Sequence, residues 1–117
     1  MLDIAKMEGE ALDQLVAEKV MGWSCLESYW LNASGAEIAS RFNWHPSAGK
    51  KLSAAASDVL LKALADGYRI IMETPECLDG LYRVGVRLID GNIWFANAST
   101  LPRALCEAVV AAYEMKK

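Results

Sequence analysis

The sequence is poor in the residue types that catalytic and metal sites use most. It has one histidine, His45, and three cysteines, Cys25, Cys77 and Cys106. No two cysteines have the close spacing of a zinc site or a redox-active dithiol. An odd number of cysteines in a small chain favours a reducing compartment. We therefore expect no metal, no cofactor and no catalytic residue, and the chain is predicted not to be an enzyme.

Long hydrophobic runs and an excess of basic charge are also absent. No stretch approaches the roughly 20 apolar residues that span a bilayer, and the N-terminal sequence MLDIAKMEGEALDQL is unlike a signal peptide. A net charge of −3 leaves no visible basic stripe of the kind that releases counterions from nucleic acid. The sequence thus predicts a cytoplasmic protein with no membrane partner, and its charge argues against a nucleic-acid partner.

The remaining composition is that of a folded domain. The chain has 117 residues, of which 54% are hydrophobic, and it contains three prolines. This length is sufficient to bury one core without disulfides or metal. No repeat and no Pro/Gly/Ser-rich linker divides the sequence, so a single domain over residues 1–117 is expected.

Three segments have the periodicity of amphipathic helices. They cover residues 8–21, 49–65 and the stretch after Leu101. The third helix is predicted to begin with a hydroxyl cap followed by proline, in the run Ser99-Thr100-Leu101-Pro102. Gly22 and Gly67 suit the C-terminal ends of the first two helices. His45-Pro46-Ser47 resembles the start of the second helix, with Ser47 as its N-cap.

Three further segments, 68–74, 82–88 and 92–98, are rich in β-forming residues. The strict alternation in YRVGVRL is typical of a half-buried strand, and Asp90-Gly91 predicts a hairpin. Apolar residues on both faces of the resulting sheet favour helices on both sides. The expected fold is α+β: a three-layer α-β-α sandwich with a small antiparallel sheet of three or more strands and about three helices.

The segment 23–45 is the least regular and the richest in aromatic residues, with short extended pieces expected near 29–32 and one helical turn near 36–41. Its large rings can fill the core under a long loop, or they can form a binding surface. The core interpretation is favoured for the group. The predicted protein-binding residues are Trp30 and Trp44 as the better candidates, with Tyr29, Phe42, Arg83 and Arg87.

Arg83 and Arg87 enter that set because they share one strand face, where they form either a solvated edge or a basic patch for an acidic partner. His45 lacks an evident orienting partner in the sequence, so a structural role is favoured over catalysis. Cys106 lies on an apolar helix face, where burial is favoured over reactivity.

Three motifs resemble those of the phage ABA sandwich domain family. The run LVAEKVMGW ends at Trp23, His45-Pro46-Ser47 follows, and the third motif is LPRALCEA from Leu101 to Ala108. The resemblance covers nearly the whole chain, except that residues between Trp23 and Trp44 depart from the pattern. It implies an α-β-α sandwich encoded by a phage or prophage and located in the host cytosol. It implies no reaction and transfers no catalytic residue.

Three functional hypotheses follow. The first is a non-enzymatic phage or prophage accessory protein that binds a host or phage protein, in one form an anti-CRISPR-like inhibitor of host defence. A homodimer through the aromatic residues is compatible with it. The second is a small-molecule or nucleotide-binding domain with the aromatic segment lining a pocket. The third, ranked last, is a cysteine-dependent enzyme.

Overall fold

The structure is a computed structural model, and it describes residues 4–32, 34–40, 44–73, 81–88 and 90–115. A 3-10 turn, Ile4–Lys6, precedes the first helix. The helices are α1 (Gly9–Leu15), which continues as a π-helical turn (Val16–Val20), α2 (Ala54–Ala65) and α3 (Leu101–Met115). The strands are β1 (Ser24–Leu26), β2 (Tyr29–Leu31), β3 (Glu37–Ser40), β4 (Arg69–Glu73), β5 (Tyr82–Arg87) and β6 (Ile93–Ala98).

The larger sheet has the order β4-β5-β6, and all of its pairs are antiparallel. Alternate side chains of β5 point to opposite faces of this sheet. Val84 and Val86 share the face that packs on the helices, and both are completely buried. The predicted hairpin between β5 and β6 is confirmed. Gly91 has a φ of 94°, and the backbone N–H of Leu88 donates to the carbonyl of Asn92 at 2.7 Å. A left-handed residue at this place is what the Asp-Gly pair predicts.

Helix α3 is the centre of the core. It packs on β5 and β6, and its other sides contact α1, α2 and the π-helical turn. Leu105, Val109 and Val110 are fully buried. The hydroxyl-Pro start predicted for this helix is confirmed, because the helix begins at Leu101 and Ala104 donates to the carbonyl of Thr100 at 3.1 Å.

The second helix begins later than the sequence predicts. Gly49 adopts a φ of 85°, which interrupts a helix there, and α2 begins at Ala54. Ser53 is the N-cap, and its hydroxyl accepts from the backbone N–H of Ala56 at 3.2 Å. The prediction of Ser47 as N-cap is therefore wrong. Ser47 is buried and bonds to α1 instead.

A smaller antiparallel sheet, β1-β2-β3, occupies the irregular aromatic segment. The extended piece predicted near Tyr29 is confirmed as β2. The helical turn predicted over 36–41 is wrong, because residues 37–40 form β3. The Trp30 side chain anchors this sheet by packing into the core cluster.

The predicted α+β fold is confirmed as sandwich-like, with three helices and two three-stranded antiparallel sheets in the described residues. The expectation of helices on both sides of the larger sheet is not met within these residues. The helices cover the face of the larger sheet that carries Val84 and Val86. The opposite face has no helix over it in the described ranges, since Ile71, Ile93 and Phe95 keep exposures of 40, 39 and 40%. This arrangement leaves an accessible sheet surface.

Candidate functional site

The uncovered side of the larger sheet is the main candidate site, and we call it the open face. Strand register arranges its side chains in three cross-strand rows. The rows are Arg69–Arg87–Ile93, Ile71–Gly85–Phe95 and Glu73–Arg83–Asn97. The open face therefore has an apolar centre with charged side chains at both ends.

Phe95 and Gly85 make the apolar centre. A Cβ added to Gly85 would lie 2.5 Å from Cε1 of Phe95, so the ring occupies the space that any larger residue would need. Glycine is unfavourable inside a strand, and its presence here is explained by this close approach. The ring thereby lies over Gly85, in the row that also holds Ile71.

Arg83 covers the ring from the neighbouring row. Its guanidinium carbon is 3.9 Å from the Phe95 ring centroid, a cation–π contact. Nη1 lies 4.0 Å from Oε2 of Glu73, which compensates the charge at this end of the open face. The Nε of Arg83 is buried and meets no hydrogen-bond acceptor in the described residues. Arg83 is thus held in place mainly by the ring and by its partially exposed ion pair.

The other end of the open face carries uncompensated positive charge. Arg69 and Arg87 are direct cross-strand partners, and both are exposed. Like charges in this register destabilise a sheet. No ion pair joins either arginine to an acidic side chain within the described part of the chain. The fold therefore presents two adjacent guanidinium groups to solvent.

The sequence placed Arg83 and Arg87 on one strand face, and the structure brings them together with residues that the sequence prediction missed. These are Arg69, Ile71, Ile93 and Phe95. The missed signal was alternation in the flanking strands, which assigns those residues to the same face once the register is known. Membership of a protein-binding surface stays a prediction for Arg83 and Arg87.

The smaller sheet exposes a second apolar surface. Leu26, Tyr29 and Ile38 keep exposures of 62, 43 and 44%. Tyr29 is thus accessible as a predicted protein-binding residue. The predicted residue Phe42 lies outside the described residues.

Trp30 and Trp44 require a correction, since they were the preferred interface candidates. They are only 3% and 6% exposed and belong to the core cluster. Trp44 packs against Trp23 with ring centroids 4.8 Å apart. The physical reason is the small sheet, which needs large side chains to attach it to the helices. The core interpretation, which the sequence favours for the aromatic group as a whole, describes these two residues.

A narrow cleft beside Trp30 and Trp44 contains the one histidine. Nδ1 of His45 lies 3.5 Å from Oδ2 of Asp13, and Oδ1 of Asp13 accepts from the backbone N–H of Ser47 at 2.9 Å. A carboxylate beside an imidazole is an arrangement that can support general-base catalysis. The sequence did not reveal this partner, because Asp13 is on α1, far from His45 along the chain.

The dimensions of the cleft favour a structural role for this pair. Its volume is about 10 Å³, enough for roughly one water molecule. Its lining residues are Glu10, Asp13, Gln14, Trp30, Trp44 and His45, which include no hydroxyl or thiol nucleophile. Burial raises the pKa of Asp13, partly opposed by the hydrogen bonds from Ser47 and by the nearby His45. We interpret Asp13 as the group that fastens residues 45–47 to α1.

The two cysteines in the described ranges differ in exposure. Cys106 is completely buried, and burial raises the pKa of its thiol well above the ordinary value. Such a thiol is the opposite of an activated nucleophile. Cys25 is exposed, and its Sγ donates to the Glu27 carbonyl at 3.5 Å. Cys77 lies outside the described residues.

Within the described ranges, histidine, cysteine and carboxylate side chains form no group of three that could hold a metal ion. No helix in these ranges is long and apolar enough to cross a membrane.

These features define a small α+β protein whose larger sheet carries helices on one face and an open, partly basic face on the other. No family model and no curated protein sequence matches the chain. Among solved structures, it is similar to a phage protein from Bacillus cereus ATCC 14579, known from a 2.0 Å crystal structure. The TM-score is 0.71 at 19% identity, over 92% of this chain and 89% of that chain. The likeness shows a shared fold, and the resemblance to the phage ABA sandwich family stays a prediction.

Proposed function

We propose that the protein is a phage or prophage accessory protein that acts by binding another protein and catalyses no reaction. The observation that carries this proposal is the open face, where Ile71, Ile93 and Phe95 stay about two-fifths exposed. Beside them lie Arg69 and Arg87, which form no ion pair within the described part of the chain. Apolar surface bordered by charge is typical of interaction sites. The phage setting is supported by the motif resemblance and by the shared fold with a phage protein.

Site-specific photo-crosslinking in the host bacterium tests this proposal. A photoreactive phenylalanine analogue replaces Asn97 on the open face, Tyr29 on the smaller sheet, or Lys51 in the exposed loop before α2. We expect one host or phage protein to be captured from Asn97 or Tyr29 and not from Lys51. Equal capture from all three positions, or none from any, contradicts the proposal.

A narrower form of the proposal is inhibition of a host defence system, in the manner of an anti-CRISPR. Its support is the small size and mildly acidic charge of the chain. The test compares plaque counts of a targeted phage on CRISPR-active cells with and without the protein. Restored plaque formation is the expected result, and unchanged immunity contradicts this narrower form alone.

The Asp13–His45 pair favours a second candidate, binding or hydrolysis of a small molecule in the cleft. The volume of about 10 Å³ weighs against it, because such a ligand needs several hundred cubic ångströms. Thermal-shift screening with nucleotides and metabolites decides the matter. A ligand whose stabilisation is lost in His45→Gln establishes this candidate, and a flat response removes it.

A further inference from the structure

The open face has no helix layer over it in the described residues, unlike the opposite face of the same sheet. Helices α2 and α3 pack against the larger sheet, and none of the described helices packs on the open face. Sheets with apolar side chains on both faces are normally covered by a layer on each side. The missing cover is therefore expected to come from another molecule.

The dimensions of the open face fit one helix. Three strands spaced about 4.8 Å apart, with about five residues each rising about 3.4 Å, give a footprint of roughly 250 Å². A helix with its side chains is about 10–12 Å wide, and three turns of it extend over about 16 Å. A stable contact between two globular surfaces needs about 800 Å² on each partner. The open face alone is too small for that, and it is large enough for a docked helix.

Charge selects the kind of helix. The open face holds three arginines and one glutamate, a net charge of +2 on a chain whose total is −3. The excess is concentrated in Arg69 and Arg87, since Arg83 has Glu73 as its ion-pair partner. Two copies that meet through this face would oppose like charges, which disfavours self-association there. Two uncompensated arginines are also too few for the extended phosphate contacts of a nucleic-acid site.

We propose that the open face docks an acidic amphipathic helix of a partner protein. Its apolar residues, spaced three and four positions apart, would cover Ile71, Phe95 and Ile93. Its carboxylates would meet Arg69 and Arg87, which relieves the repulsion between these cross-strand neighbours. This inference deepens the proposed protein-binding function by naming the surface and the partner's chemistry.

The test is a selection in which peptides of either charge can bind the protein. The probe is a display library of helical peptides with leucine fixed at helical spacing and the other positions drawn from Glu, Lys, Gln and Ser. Selected peptides are then measured against the wild type, the double variant R69E/R87E and the matched control K50E/K51E. The control makes the same charge change at two exposed lysines outside the open face.

We expect the selected peptides to be rich in glutamate and to lose at least about tenfold in affinity with R69E/R87E, with no change in the control. Basic selected peptides, equal losses in both variants, or no enrichment would overturn the inference. If an oligo-dT probe bound the protein more tightly than the selected peptides do, the open face would instead be assigned as a nucleic-acid site. A mass that doubles with concentration and returns to monomer in R69E/R87E would assign the face to a second copy.

Failure here is distinguishable from failure of the proposed function. If photo-crosslinking captures a partner from Tyr29 and not from Asn97, protein binding stands and the open face is the wrong surface. If neither position captures a partner, the proposed function itself is contradicted.

Discussion

The Phe95 ring lies directly on its cross-strand partner Gly85, within 2.5 Å of the position that a Cβ on residue 85 would occupy. Neither residue is informative alone: glycine weakens a strand, and an exposed phenylalanine is commonplace. Together they form the apolar centre of the open face. This contact leads to the first prediction.

Gly85→Ala should destabilise the protein by about 1 kcal/mol, because the added methyl group displaces the Phe95 ring. In the Phe95→Ala background the same change should be neutral or stabilising, since alanine restricts the unfolded chain more than glycine does. Urea denaturation of the four proteins in this double-mutant cycle gives the coupling. Equal effects in both backgrounds would show that the ring does not occupy this space.

Asp13 provides a second prediction through its bond to Ser47. Asp13→Ala should cost about 1–3 kcal/mol, because it leaves the buried N–H of Ser47 without an acceptor. Asp13→Asn keeps a side-chain oxygen and should cost less. Chemical denaturation at neutral pH measures both, and an alanine variant no worse than the asparagine variant would contradict the assigned role.

The same carboxyl makes stability depend on pH. Burial raises the pKa of Asp13 above its ordinary value of 3.8, so folding favours the protonated form. The contribution of Asp13 to the free energy of unfolding is therefore fully present below about pH 3.8 and is lost as the pH rises through the folded-state pKa. Asparagine does not titrate, so the stability of Asp13→Asn relative to the wild type should increase as the pH rises through this range. Glu10→Gln, which removes an exposed carboxylate from the same helix, is the matched control for denaturation curves across this range.

Arg103 forms a largely buried ion pair with Glu107, one turn further along α3. Its Nε donates to Glu107 at 2.7 Å, and its Nη2 donates to the carbonyls of Ile4 and Met7. Arg103→Met should cost about 3–5 kcal/mol, because it leaves Glu107 buried without a cation. Adding Glu107→Gln should recover part of that loss.

Lys62→Met is the comparison for that pair, since Lys62 bonds Asp66 with the same helical spacing but greater exposure. It should cost less than about 1 kcal/mol. Hydrogen exchange at Ile4–Lys6 should accelerate in Arg103→Met and stay unchanged in Lys62→Met. Similar losses of stability in the two variants would contradict the difference in burial.

Thiol labelling gives the last prediction. At neutral pH, iodoacetamide should modify Cys25 and leave Cys106 unmodified in the folded protein, since Cys106 is fully buried and burial raises its pKa. Mass spectrometry of tryptic peptides locates the label, and labelling in urea should modify both residues. Modification of Cys106 at the rate of a free thiol would contradict its burial, and only modification faster than that of a free thiol would revive the cysteine-enzyme hypothesis.

Local pattern was enough to predict much of the fold. The alternation in β5, the Asp90-Gly91 turn and the hydroxyl-Pro start of α3 each depend on neighbouring residues, and each is confirmed. Strand β3 was missed because none of its four residues is buried and exposure does not alternate along it, which leaves no alternation to detect. Propensity fails where one side of a strand has nothing to pack against.

The candidate site was harder to predict because it depends on pairing. Arg83 and Arg87 were assigned to one face from β5 alone, but Arg69 and Phe95 join them only through the register with β4 and β6. The contacts of Asp13 with Ser47 and His45 likewise join segments far apart in the chain. The prediction for Trp30 failed because a small sheet needs an anchor, which composition does not show.

The position of α3 in the chain has a consequence for synthesis. Of the described elements it is the last to be made, yet it supplies seven of the twenty buried apolar residues, among them Leu105 and Val109. Without this helix, the faces of β5 and β6 that it covers are exposed, together with the sides of α1 and of the π-helical turn that contact it. A polypeptide that has not yet produced this helix lacks much of its core, and fragments truncated before Leu101 should be degraded rather than accumulate.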